Sequence, residues 1–435
     1  MNKTVRVIGA GLAGCEAAWQ LAEKGINVLL YEMKPGLKSP AHISNDFAEL
    51  VCSNSFRGND LTNAVGLLKE EMRRLGSLIM QAADETKIPA GGALAVDREL
   101  FASYVTEKIK NHPLVTVIEE NVSDIPDGNV IITTGPLTSD NFADRITRLL
   151  PETKMLNFYD SAAPIVTVES IDMDSAYFAS RYDKGDADYI NCPMDKKLYL
   201  AFHSALLSAE TAPAHGFEEE LVFEGCIPIE VMAKRGEDTI RYGPLKPVGL
   251  VDPETGKEPY AVMQLRKDNA EGTLYNIVGF QTHLKFGEQK RVLSMIPALK
   301  NAEIVRFGVM HRNTYIESPK LLDRYYRLRH LKRIRFAGQI TGVEGYVESA
   351  ASGLLTGLET ANELLGFLPI DFPHETAIGA LALYVSEGSI SNFQPMNINY
   401  GLIAPLGYRI KGKREKNLAI SEKALKIIDG IVESM

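Results

Sequence analysis

Cysteine is scarce in this chain: Cys15, Cys52, Cys192 and Cys226 are the four in 435 residues. No two of them form a C-x-x-C pair, which argues against a zinc site, a thioredoxin-type redox pair and a disulfide scaffold. Long apolar runs are missing as well. The longest candidate, Ile378 to Val385, falls far short of the roughly 18 residues that spanning a bilayer requires. The apolar stretch after Lys3 reads as a strand, not as the core of a secretory leader. Nor is there an excess of positive charge. The net charge of −9 argues against indiscriminate nucleic-acid binding but leaves room for a local basic patch. What remains is the expectation of a cytoplasmic globular protein with reduced thiols, 45% hydrophobic and 24% charged, long enough for two or three domains.

The most informative stretch runs from Val5 to Glu32. Val5-Arg6-Val7-Ile8 reads as a buried parallel strand that leads straight into Gly9-Ala10-Gly11-Leu12-Ala13-Gly14, a G-x-G-x-x-G. A helical pattern follows, with Ala13, Ala17, Ala18 and Leu21 on one face and Gly25 past its end. A second strand, Asn27 to Tyr31, delivers Glu32. Gly9 permits the tight turn, Gly11 lets a pyrophosphate approach the backbone, and Gly14 allows the helix to lie close to the strand. The free N–H groups and dipole of the helix N-terminus favour an anion there, and Glu32 is placed to accept from a ribose. Strand, glycines, helix, strand and acid in this order predict a dinucleotide site.

Leu37 to Asn63 reads as a long ordered loop containing Cys52, and Asn63 to Gln81 as one helix with a basic exposed edge of Lys69, Arg73 and Arg74. Asp97-Arg98-Glu99-Leu100-Phe101 opens a helix similar to the D-R-x-x-F helix of glutathione-reductase-like flavoproteins, and is followed by a strand from Val115. In such folds Val122 falls near the adenine, and Thr134-Gly135, closing the strand from Val130, beside the dinucleotide. From about Phe158 the alternation fades. Ile165–Val168, Lys197–Phe202 and Tyr275–Phe280 read as strands of an insertion, with a surface turn at Asp252–Gly256. The first unit resumes at Ile334, where Gly338-Gln339, Gly342 and Glu344-Gly345-Tyr346 precede a helix of small residues ending at Leu365. Two distant segments meeting one cofactor favour FAD as the resident dinucleotide, since no second complete G-x-G-x-x-G offers NAD(P)H its own site. The fold class is therefore α/β: a Rossmann-type FAD-binding domain (1–157 and 306–435, the latter with a C-terminal extension) carrying an inserted mixed α/β domain (158–305).

Four stretches carry a more specific likeness: Glu49–Ser55, Phe307–Tyr315, Gly338–Ser349 and Gln394–Asn397. Together they resemble the folate- and FAD-dependent tRNA (uracil-5-)-methyltransferases, across nearly the whole chain. The larger wobble-uridine modifying GidA relatives share the first-domain plan but carry a long C-terminal region for which this chain has no room. The resemblance implies that methylenetetrahydrofolate supplies one carbon, reduced FAD, regenerated by NAD(P)H, supplies the electrons, and C5 of the T-loop uridine at position 54 of tRNA accepts. Unactivated uracil C5 is a poor nucleophile. A thiolate adding to C6 activates it, and a base must then take the C5 proton.

Two cysteines compete for these roles: Cys226 as the nucleophile and Cys52 as the base, with the reverse assignment open. Cys15 reads as packing within the first helix. Tyr346 either stacks on the flavin or caps the core through its hydroxyl, and Glu344 either meets a ligand or serves as a helix-terminal charge. His311 and Arg312 are candidates for a folate carboxylate or an RNA phosphate. Two basic runs are candidate RNA contacts, one holding Lys411, Lys413 and Arg414, the other Arg324 to Arg333, read partly as a helix into the Ile334 strand. Two other classes stay open: a flavin oxidoreductase on a small molecule, and a tRNA-binding or assembly protein that keeps FAD as a structural element.

Overall fold

The computed structural model describes residues 3–39, 41–150, 156–183, 186–212, 227–308, 310–388 and 393–435, and for 156–161, 183 and 310–313 the main chain alone. Its first unit is a five-stranded, all-parallel sheet in the order Ile334–Phe336, Asn129–Ile132, Thr4–Ile8, Asn27–Glu32, Val115–Glu119. Buried strands such as Val5, Val7, Ile131 and Phe336 form its core with helices on its faces. The second unit is a six-stranded, wholly antiparallel sheet with its own core around Ile190, Met263 and Ile277. The chain leaves and re-enters the first unit along one antiparallel ribbon, Leu156–Ser161 paired with Met310–Tyr315. The architecture is thus a Rossmann-type α/β fold with an insertion. Among the described residues no helix is long and apolar enough to cross a membrane.

Several local expectations are corrected. Lys197–Phe202 is not a strand but part of the Lys196–Ser208 helix. Asp195 caps it, accepting from Leu198 N at 2.7 Å, and Tyr199, Phe202, His203 and Leu206 form a buried face at helical spacing. The single helix over 63–81 is two, Ala64–Arg74 and Leu78–Glu85. Gly76 adopts φ +74° between them, and Ser77 N donates back to Met72 O at 3.1 Å, a Schellman-type ending. Lys69 is not exposed: its ammonium donates to the carbonyls of Phe56, Arg57 and Gly58 at 2.9–3.2 Å. The Arg324–Arg333 run forms turns and bridges, not a helix.

The helices Leu12–Glu23 and Tyr346–Leu365 cross at very close range. A Cβ on Gly353 would sit 2.2 Å from Ala13 O, and one on Gly357 2.8 Å from Ala17 O. Bare glycine backbone is what lets the two axes approach. By contrast Gly366, the αL residue that ends the second helix at φ +85°, has nothing within 4 Å of its would-be Cβ. Gly353→Ala is therefore expected to destabilise the protein by about 1–3 kcal/mol through overpacking, whereas Gly366→Ala costs about 1 kcal/mol of backbone strain. Chemical denaturation of both variants checks this order.

Candidate functional site: a dinucleotide cleft with a cysteine loop at its rim

The parallel strands deliver their C-terminal ends to one edge, where ligands of open α/β sheets bind. Ile8 leads to Gly9, Tyr31 to Glu32, Ile132 to Thr133 and Phe336 through Ala337 to Gly338, and Ile8, Gly9, Tyr31, Glu32, Thr133 and Gly338 line one cleft. Gly9 turns at φ +102°, with its would-be Cβ 2.8 Å from Thr133 O. Gly14 lies against Gly9 O, where a Cβ would fall at 1.8 Å. Gly11, which begins the first helix, has open space in front of it. The first and third glycines are thus required by the protein's own packing and the second leaves room for a ligand. Among the described residues this edge presents the N-termini of both close-packed helices, through Gly11-Leu12-Ala13 and through Tyr346 and Ser349. Two converging helix N-termini favour a diphosphate.

Of the residues singled out in the sequence, Gly9, Ala10, Gly11, Leu12, Ala13, Glu32, Val122, Thr134, Gly135, Gly338, Gln339 and Tyr346 line the cleft. Glu32 is buried, accepting from Ala10 N at 2.9 Å and Lys34 N at 3.0 Å. Gly14, Gly342, Glu344 and Gly345 do not line it. Gly342, at φ +82°, passes beneath the Phe393 ring, and Gly345, at φ +105°, begins the Tyr346–Leu365 helix. The Glu344 carboxylate accepts from Gln339 Nε2 at 2.7 Å, so it orients an amide at the cleft from behind. The Gln394–Asn397 motif latches this turn: Met396 N donates to Gly342 O at 3.1 Å and Asn397 Nδ2 to Glu344 O at 2.7 Å.

The loop after Glu32 folds over the glycine turn, fixed by Ala48 N donating to Ala10 O at 2.9 Å. It brings Lys34, His42, Glu49 and Val51 to the cleft, none of them singled out individually as ligand-facing. Burial pushes the His42 imidazole down, and the Lys34 ammonium adds to that. The loop's position between acid and Cys52 was the one available signal. At the far end Tyr346 lines the cleft. Its hydroxyl accepts from Cys52 N at 2.8 Å and Ser53 N at 3.1 Å. Burial pushes that phenol well above its ordinary range.

Cys52 is half-buried. Cys15 is fully buried in the first helix with its thiol on Ala10 O at 3.3 Å, and burial raises it far from reactivity. Cys192 is buried in the antiparallel sheet and pushed up to about 12. Cys226 lies outside the described residues. His311 and Arg312 occupy the ribbon opposite Asp160 and Tyr159, and their side chains also lie outside what is described. Lys411, Lys413 and Arg414 are exposed at the start of the C-terminal helix, Arg414 being 3.8 Å from Asp60. In the other basic run the arginines are engaged at the surface: Arg324 pairs with Asp371, Arg327 with Asp323 and Glu363, and Arg329 and Arg333 donate to carbonyls of Ser386, Pro126 and Gly128.

Comparison with known proteins follows this geometry. Residues 4–367 match the family model described as glucose inhibited division protein A. The chain is 60% identical over its full length, and that of the relative, to the methylenetetrahydrofolate--tRNA-(uracil-5-)-methyltransferase TrmFO of Bacillus licheniformis. It is equally similar to that of Listeria monocytogenes serotype 4b, and 59% identical to that of Bacillus subtilis. Among solved structures, Aquifex aeolicus GidA in two crystal forms superposes with TM-score 0.71 at 17% identity, covering 99% of this chain and 74–76% of those chains, which establishes a common fold.

The glycine geometry separates binding from folding. Gly11→Ala is expected to melt like the unmodified protein yet weaken FAD binding at least about tenfold, because its methyl group enters the space a phosphate would fill. Gly14→Ala instead loses stability through its clash with Gly9 O. Thermal melts alongside FAD titration by flavin fluorescence distinguish the two.

Proposed function

The chain belongs to the glucose inhibited division protein A family and, within it, to the methylenetetrahydrofolate--tRNA-(uracil-5-)-methyltransferases, and on that premise we propose that it methylates C5 of a uracil in tRNA with methylenetetrahydrofolate as carbon donor. The T-loop uridine at position 54 is the proposed target, FAD the resident dinucleotide and NAD(P)H its reductant, in a cytoplasmic setting. The observation that carries the reading is the junction of the two features such a reaction needs. A dinucleotide cleft and a half-buried cysteine meet at Tyr346, which lines the one and whose hydroxyl holds the main chain of the other.

The residues present fit FAD. Gly9, Gly11, Thr134, Gly135, Gly338 and Gln339 would hold it, with two helix N-termini for its diphosphate. When bound and reduced, FAD supplies the electron pair that turns the transferred carbon into a methyl group. In our assignment the Cys226 thiolate adds to C6 of uracil, the C5 so activated bonds to the one-carbon unit of methylenetetrahydrofolate, and the C–N bond that carried that unit breaks as C5 gives up its proton, leaving tetrahydrofolate. Cys52 takes the C5 proton. Once the exocyclic carbon is a methyl group, the Cys226 sulfur leaves and the C5=C6 double bond returns. His311 and Arg312 are assigned to folate or RNA anions, and the exposed Lys411, Lys413 and Arg414 to tRNA phosphates.

The test is incubation of the purified flavoprotein with tRNA carrying 5-fluorouridine, which blocks loss of the C5 substituent, followed by peptide mass spectrometry. A covalent adduct on Cys226 is expected. An adduct on Cys52 would exchange the two roles, and no adduct from protein that methylates ordinary tRNA would remove the covalent step.

A further inference from the structure

The segment Leu50–Asn54 has almost no regular structure of its own, yet its main-chain polar groups are satisfied by side chains from three distant places. The Arg98 guanidinium donates to Leu50 O and, at 3.3 Å, to Cys52 O. Arg306, from the edge of the antiparallel sheet, donates to Val51 O at 2.8 Å. The Tyr346 hydroxyl accepts from the amides of Cys52 and Ser53. Arg98 is itself held by the buried Asp268, through Nε at 2.9 Å and Nη2 at 3.2 Å. Asp268 follows the Ala261–Lys267 strand and so belongs to the inserted unit. The neighbouring contacts run the same way. Asp97 caps the Arg98–Lys110 helix with one oxygen and accepts from Ala270 N at 2.8 Å with the other. Asn54 bonds both Lys267 O and Arg266.

We propose that Arg98, oriented by Asp268, is a positioning residue for Cys52: its fork fixes the loop on either side of the sulfur, its charge favours the thiolate, and its tie to Asp268 makes both depend on how the inserted unit is seated. The inference rests on the reading that Cys52 works as a base, which a protonated thiol does not. The charged and titratable groups around the loop are Arg98, Arg266, Arg306, Tyr346, Asp268 and Glu49, with Lys34 and His42 beside Glu49. Three guanidinium groups face two carboxylates, Asp268 is engaged side-on by Arg98, and Glu49 accepts from Ile43 N and Ser44 N, so positive charge dominates around the loop. An opposite charge this close lowers a thiol's titration midpoint by about one unit or more.

The test is the pH profile of iodoacetamide alkylation at Cys52, read site by site by peptide mass spectrometry on the full-length flavoprotein. Arg98→Gln is expected to raise the Cys52 midpoint by about one unit and slow its alkylation about tenfold at pH 7, while Arg98→Lys, which keeps the charge but not the fork, restores part of the midpoint without restoring kcat. Asp268→Asn discriminates further. Mere loss of a nearby negative charge would lower the midpoint, whereas loss of Arg98's orientation raises it, and the proposal requires the rise. Unchanged profiles in Arg98→Gln and Asp268→Asn, with flavin content and melting intact, would overturn it. Should Arg98→Gln fail to fold, Asp268→Asn decides alone. Alkylation needs neither tRNA nor folate, so a protein that proved unable to methylate tRNA would still give this answer.

Discussion

The approach of two helices separated by more than 300 residues of chain is the constraint on which the site depends. Gly353 and Gly357 of one lie against the backbone of Ala13 and Ala17 of the other, at distances no side chain would permit. The two N-termini therefore end at the same sheet edge, and the cleft between them has positive potential from both before any charged side chain is counted. The consequence is thermodynamic as well as geometric. Neither helix alone makes the site, so its formation is coupled to closure of the whole first unit, including the return of the chain from the inserted sheet.

Buried glutamates solve the next problem, which is how to fix irregular backbone around such a junction. Glu16 accepts from Leu78 N and Ile79 N at the start of one helix, and Glu71 from Ala377 N and Ile378 N at the start of another. Glu348 accepts from Ile398 N while paired with Arg57, and Glu32 from Ala10 N and Lys34 N. Removing a carboxylate from water is expensive, and desolvation pushes Glu71 up to about 8. Charge-assisted bonds to main-chain N–H groups that no helix or sheet would otherwise satisfy offset that penalty. The same side-chain-to-backbone logic, with arginine and tyrosine in place of glutamate, holds the cysteine loop.

How much of this was legible in the sequence follows from the range of the interactions. The Gly9–Glu32 unit was readable because its signals are local: an uninterrupted glycine pattern flanked by strands with a fixed offset to the acid. Gly338, Gln339 and Tyr346 were readable as a glycine-marked turn before a helix of small residues, but the separation of Gly342, Glu344 and Gly345 from the cleft was not. It is set by Phe393 and Asn397, which come from a different part of the chain. Lys69 gave a false surface signal because three carbonyls of the Ser55–Gly58 strand, remote in pattern from its helix, receive its ammonium. Lys197–Phe202 misled because a six-residue window shows β-like composition, whereas the period of Tyr199, Phe202, His203 and Leu206 needs eight residues to appear. The pairing of the arginines from 324 to 333 was only partly readable: Asp323 is four residues from Arg327, whereas Asp371, Glu363 and the carbonyls of Ser386, Pro126 and Gly128 are distant in sequence.

A thiol carried on a helix or a strand would have its position set by the hydrogen bonds of that element. Cys52 is instead carried where the donors to its flanking carbonyls come from the first unit (Arg98) and the inserted sheet (Arg306), and the acceptor for its amide comes from the second cleft helix (Tyr346). Each of these three would be displaced by a different disturbance: reseating of the inserted unit, shift of the sheet edge, or movement of the close-packed helices. Placing the thiol at the point where all three meet means that it takes up this pose only in the fully packed molecule. On the role proposed for Cys52, chemistry that brings two substrates to one cofactor gains from this arrangement, because a half-assembled site, open to water and to adventitious electrophiles, would not present the thiol in this geometry.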